Sequence, residues 1–154
     1  MKILLHRGTG LVSRLIRWQT RSAYSHAGLL MDDGRVVEAW WPRVRLTPCI
    51  GAGHPRCERI DVFVFADPLT ALENRIMEMS ARKLVGRPYD WQSVARFLTR
   101  ERSVENRRLF CSELVFEVCH KAGRELLSRT QPWRVPPDWI ARSPLLEFEK
   151  FYLA

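Results

Sequence analysis

Apolar residues come in short runs separated by turn-forming residues, a rhythm that predicts several strands and a few helices. Lys2–His6 reads as a short buried strand, followed by a Gly8-Thr9-Gly10 turn. Leu11, Leu15, Ile16 and Trp18, interleaved with Arg14, Arg17 and Arg21, predict an amphipathic helix. Ser25–Met31 and Arg35–Trp41 read as a hairpin, joined by Asp32-Asp33-Gly34 and ended by Pro42. Val44–Leu46 and Ile60–Phe65 predict further strands on either side of a Gly/Pro-rich loop over Pro48–Pro55. Pro68 then opens a helix over Leu69–Val85, stopped by Gly86 and Pro88, and a second follows over Asp90–Leu98. Thr99–Arg108 is a charged loop, and Leu109–Ala122 a helix ending at Gly123. Pro132–Pro137 reads as an extended connector before a last strand over Leu145–Tyr152. No repeat, low-complexity tract or linker interrupts this order, so residues 1–154 form a single α+β domain.

At 154 residues and 46% hydrophobic content the chain can build a core without staples. No apolar run approaches the length of about 18 residues that spans a membrane. The start of the chain has no secretory pattern. A cytoplasmic protein is the expectation; a substrate in the envelope would need another route of delivery. The net charge of +8 is almost entirely arginine, since lysine occurs only at Lys2, Lys83, Lys121 and Lys150. Such a surface attracts anions: an acidic cell-wall polymer, an acidic membrane face or nucleic acid. The basic run Arg96, Arg100, Arg102, Arg107 and Arg108 has little aromatic interleaving, which argues against single-stranded nucleic acid as a partner. It leaves a non-catalytic, phosphate-holding module as a rival reading. The sequence sets no oligomeric state.

Cysteines at 49, 57, 111 and 119 follow neither a zinc-ribbon nor a redox spacing. Cys111 and Cys119 lie two turns apart on one helix, too far for a disulfide. A zinc set of Cys49, His54 and Cys57 lacks a fourth ligand. No metal or cofactor is expected.

The segment with most chemical content is Phe110-Cys111-Ser112-Glu113-Leu114-Val115, which puts Cys111 at or just before the first turn of a helix. Unpaired backbone N–H groups and a positive partial charge gather there. Such a place favours a reactive thiolate and can hold an oxyanion. A thiol nucleophile needs a base, and the base an orienting partner. His26 begins a strand among small neighbours in Tyr24-Ser25-His26-Ala27-Gly28. Glu38 sits inside the otherwise apolar Val36-Val37-Glu38-Ala39-Trp40, where a carboxylate is costly unless paired. Across the hairpin, His26 is its partner of choice. Of Trp40 and Trp41, strand alternation lets one at most face a substrate pocket.

The order His, acid, Cys, with S-H-A-G on one strand, V-E-A-W on the next and F-C-S-E-L-V opening a helix, resembles the YiiX/YebB-like branch of the NlpC-type cysteine hydrolases. That resemblance implies a circularly permuted papain-like fold, with an antiparallel sheet or partial barrel packed on helices. It implies Cys111 as nucleophile, His26 as base and Glu38 as the orienting residue. It also points to Tyr89, in Gly86-Arg87-Pro88-Tyr89-Asp90-Trp91, as a residue that binds the oxyanion or orients substrate. The implied activity is hydrolysis of peptide amide bonds in bacterial cell wall. Permuted relatives resembling lecithin–retinol acyltransferase add acyl lipids and thioesters as alternative substrates.

Overall fold

A computed structural model describes residues 1–89, 110–128, 130 and 135–153. Six strands and four helices are present among them: β1 (Lys2–Gly8), α1 (Leu11–Thr20), β2 (His26–Leu30), β3 (Val36–Trp40), β4 (Arg43–Thr47), β5 (Cys57–Phe65), α2 (Ala71–Leu84), α3 (Cys111–Lys121), α4 (Pro137–Ile140) and β6 (Leu146–Leu153). The strands form one antiparallel sheet in the order β4-β3-β2-β1-β5-β6. The helix expected over Asp90–Leu98, the loop over Thr99–Arg108 and the Arg96–Arg108 run lie outside the described residues.

Alternation along the strands divides the sheet into two faces. Ile3 and Leu5, Ala27 and Leu29, and Val37 and Ala39 join the main core with Met77 and Ala81 of α2 and Leu114, Val115 and Val118 of α3. The intervening residues make a smaller cluster on the opposite face, including Leu4, Val36, Ile60 and Val62. His6, His26 and Glu38 belong to that second alternation.

Local chemistry explains the helix limits. In α2 the Thr70 hydroxyl accepts from the Glu73 backbone N–H at 3.2 Å, and the Glu73 carboxylate accepts from the Thr70 N–H at 2.8 Å. This reciprocal pair starts the helix at Ala71, two residues later than Pro68 suggested. α3 starts at Cys111, later than the expected Leu109, and stops before Gly123, which takes φ 77°. The connector before β6 was read as extended, but its end winds into α4, where Pro137 occupies the first turn. α1 buries none of its residues, and Leu11, Val12, Leu15 and Trp18 are all exposed.

Candidate active site

Cys111 is the first residue of α3, and only 7% of its surface is exposed. Its thiol stands beside the imidazole of His26, the first residue of β2, close enough to raise that ring's pKa. The other side of that ring meets the acid: Nε2 of His26 lies 2.8 Å from Oε2 of Glu38. The two residues are not directly opposite. Gly28 faces Glu38 across the β2–β3 pair, so His26 reaches it on the diagonal. The absence of a side chain at Gly28 helps: a Cβ there would sit 3.3 Å from Val36 Cγ1 and 3.5 Å from Glu38 Cβ.

Glu38 is completely buried, so its charge must be satisfied from within. Three donors do this. Oε2 accepts from Nε2 of His26 and, at 2.7 Å, from Nε2 of His54. Oε1 accepts from Nε of Arg45 at 2.8 Å. Nη2 of Arg45 lies equally near that oxygen but off the angle of a hydrogen bond. Burial alone would raise the carboxyl pKa; the hydrogen bonds from His26 and His54 outweigh it and hold Glu38 well below the usual carboxylate range. An ionised carboxylate only accepts, so both imidazole Nε2 atoms carry protons. In neutral His26 this leaves the Nδ1 lone pair for the thiol. Burial opposes the His26 cation too, yet bonds to Cys111 and Glu38 raise its pKa to about 9.

A third imidazole, His6, joins His26 and His54 beside Glu38. His6 stands directly opposite His26 in the β1–β2 register. Its ring centroid lies 5.0 Å from that of His26 and 4.5 Å from that of His54. His6 is 2% exposed, and neither of its nitrogens has a hydrogen-bond partner among the described residues. An unpaired buried donor costs about 1–3 kcal/mol. Burial, followed by the charges of His26 and His54, pushes its pKa well below the ordinary imidazole value. One donor atom from each of His6, His26, Glu38 and His54 falls within 4.8 Å of the others, a donor set suited to a transition metal. His54 hangs from the Pro48–Pro55 loop, where Gly51 and Gly53 take φ 80° and 79°. Gly53 also leaves the space that Arg45 fills, since a Cβ would stand 2.9 Å from Arg45 Nη2.

A cavity of about 560 Å³ opens beside His26, walled by Val12 and Ile16 of α1 and by Trp40, Trp41 and Tyr89. Both tryptophans border it. The expectation that only one would do so assumed strand alternation through Trp41, but β3 ends at Trp40. A second cavity, about 570 Å³, continues past His26 to His6 and His54. The structure therefore brings Cys111, His26 and Glu38 into contact and places Tyr89 on the wall of the same cavity. His6 and Arg45 were not foreseen in the sequence, and His54 was considered there only beside Cys49 and Cys57.

The remaining cysteines differ from Cys111. All four are free. Cys119 is buried in apolar surroundings, which push its thiol up to about 12. Burial also raises that of Cys57, whereas Cys49 is exposed. Cys49, His54 and Cys57 do not form a metal set, because His54 turns to Glu38.

No protein-family model matches the chain, and no curated protein matches it. A solved structure does: that of YiiX from Escherichia coli O157:H7, a protein described as a metalloprotein. The match has a TM-score of 0.78 over 99% of this chain and 97% of the other, at 20% sequence identity. The fold is thus YiiX-like.

Proposed function

We propose that a chain with the YiiX fold and a thiol–imidazole–carboxylate relay at the end of its sheet is a cysteine hydrolase of permuted papain-like type. The observation that carries this reading is His26 set between Cys111 and Glu38, hydrogen-bonded to Glu38 and near enough to the thiol for it to raise the ring's pKa. The chain order also supports it: the histidine and acid strands precede the cysteine helix.

The reaction follows from the protonation pattern. Nδ1 of His26 takes the Cys111 proton, and the imidazolium so formed stands beside the sulfur as it attacks a substrate carbonyl carbon. The carbonyl electron pair moves to oxygen, beside the backbone N–H groups of the first turn of α3. Tyr89 assists at that oxygen or orients the substrate. When the tetrahedral intermediate collapses, the leaving nitrogen or oxygen takes the proton from His26. Water, deprotonated by the same nitrogen, then hydrolyses the thioester and restores the thiol. Glu38 stays ionised throughout and holds Nε2–H, so the proton shuttles only at Nδ1.

The resemblance to NlpC-type enzymes makes peptide amide bonds of bacterial cell wall the first substrate class. A second class, acyl lipids or thioesters, is favoured by the apolar walls of the cavity beside His26. The exposed Leu11, Leu15 and Trp18 of α1, beside exposed Arg14 and Arg21, suit an anionic membrane face in the same way. YiiX is described as a metalloprotein; in this chain three imidazoles and a carboxylate could hold a metal, which would supply Lewis acidity.

The test is a parallel screen of peptidoglycan fragments and acyl lipids with the wild type and Cys111→Ala. Turnover of one class by the wild type alone supports the reading and chooses the substrate. Equal turnover by Cys111→Ala, or none of either class by both proteins, refutes it.

A further inference from the structure

We propose that His6, His26, Glu38 and His54 bind a zinc-class divalent cation, and that this binding switches off the base that serves Cys111. The second half rests on the hydrolase reading; the first does not.

The strongest sign is His6. Its ring is buried between two other imidazoles, and both nitrogens lack a partner among the described residues. A side chain placed only for packing has no need of two polar atoms there, and an apolar residue of similar volume would avoid their desolvation. A metal ion gives one of those nitrogens a partner. The remaining donors are already aimed. Nε2 of His26 and Nε2 of His54 point at the same oxygen of Glu38, from 2.8 and 2.7 Å. The four donor atoms span at most 4.8 Å. A tetrahedral ion with bonds of about 2.0–2.1 Å needs its ligands about 3.3 Å apart. The widest separation must close by roughly 1.5 Å while the two imidazole–Glu38 pairs open by about 0.5 Å to admit the ion, both within reach of side-chain rotation. Neutral imidazole and carboxylate are the ligands zinc, cobalt and nickel prefer over calcium or magnesium. Arg45 grips the oxygen of Glu38 that faces away from the imidazoles, which orients the ligand from outside. His6 and His54 border the second cavity, so an ion has access.

The consequence for Cys111 is a matter of lone pairs. Neutral imidazole has one N–H and one lone pair. When Nε2 of His26 gives its lone pair to the cation, its proton must reside on Nδ1, the nitrogen not engaged by Glu38. An Nδ1–H donates and does not accept, so His26 can no longer take the Cys111 proton. No bond to Cys111 is required.

The experiment uses the full-length protein, stripped with chelator and titrated with zinc(II) and cobalt(II). Calorimetry should give one site per chain, and cobalt(II) should show the intense visible absorption of four-coordinate nitrogen and oxygen ligation. Cys111→Ser should bind the same cobalt with the same spectrum. His6→Gln and His54→Gln should each weaken binding by at least about tenfold. His54 lies on a loop, so His54→Gln keeps the test open should His6→Gln misfold. Saturating zinc should slow alkylation of Cys111 at least about tenfold, and chelator should restore it. Absence of saturable binding, or undiminished binding by the folded His54→Gln protein, overturns the site. Binding without any effect on alkylation overturns the switch. Neither outcome touches acyl transfer by the metal-free protein, which the substrate screen tests separately.

Discussion

Glu38→Gln is the substitution that asks most of the site. It keeps the volume and removes the charge. Three N–H groups converge on the carboxylate, from His26, His54 and Arg45, at 2.7–2.8 Å. A glutamine amide has one acceptor oxygen and an NH₂ that only donates. With the oxygen toward the histidines, the NH₂ faces Nε–H of Arg45; reversed, it faces two imidazole N–H groups. Either way a buried donor is stranded beside another donor. Removing one partner from a buried ionic pair costs about 3–5 kcal/mol. At about 2–4 °C per kcal/mol for a protein of this size, the melting temperature should drop by roughly 6–20 °C. The imidazole should respond as well. With the carboxylate gone, burial should bring the His26 pKa down from about 9. Alkylation of Cys111 should slow by roughly 10²–10⁴-fold, the range that a positioned general base supplies. Thermal unfolding by circular dichroism, a histidine NMR titration and alkylation kinetics, all with chelator present, read the three effects. A melting temperature within about 2 °C of wild type, with an unmoved His26 titration, would refute the electrostatic account of Glu38.

Stability should fall on the alkaline side. The folded His26 pKa, about 9, lies above the ordinary 6.5, so its contribution is complete below pH 6.5 and lost as pH rises through 9. The loss is about 3 kcal/mol and should shrink in Glu38→Gln; denaturant unfolding at pH 6 and pH 9.5 measures it. Glu38, held low, contributes above its ordinary 4.5, and that contribution fades only in strong acid. Gly8→Ala would put a Cβ 2.3 Å from Ser13 Oγ and 2.8 Å from Ser25 Oγ. Such overpacking costs about 1–3 kcal/mol, seen as a lower denaturant midpoint with an unchanged slope. Ile16→Asp places a charge on the wall of the 560 Å³ cavity. It should raise KM for acyl-lipid substrates more than it lowers kcat if the apolar wall binds the acyl chain, and steady-state kinetics distinguishes the two.

The legible part of this protein was what period and cost reveal. A carboxylate in an apolar strand demands a cationic or N–H partner, and that demand alone paired Glu38 with His26 across a hairpin whose turn is written in Asp32-Asp33-Gly34. The positions of the strands and the helix behind Cys111 followed from local patterns of the same kind. What escaped depended on register and on loop path. His6 looks like the last residue of a short strand until β1 and β2 are aligned, when it falls opposite His26. Arg45 reads as one cation among many until β3 and β4 place it against Glu38. His54 reaches the carboxylate from a loop bent by Gly51 and Gly53, both at positive φ. The Gly-x-Gly-His spelling of that loop was the available signal, but no periodicity says where such a loop will lie.

The central claim is that Cys111 alone carries an acyl group. The direct measurement is intact-mass and peptide-mapping spectrometry after brief exposure of the metal-free protein to an activated acyl ester. The account predicts a single acyl increment on the peptide holding Cys111, none in Cys111→Ala, and slower loading in His26→Ala. An increment that survives in Cys111→Ala, or that maps to the exposed Cys49 in the wild type, would contradict it.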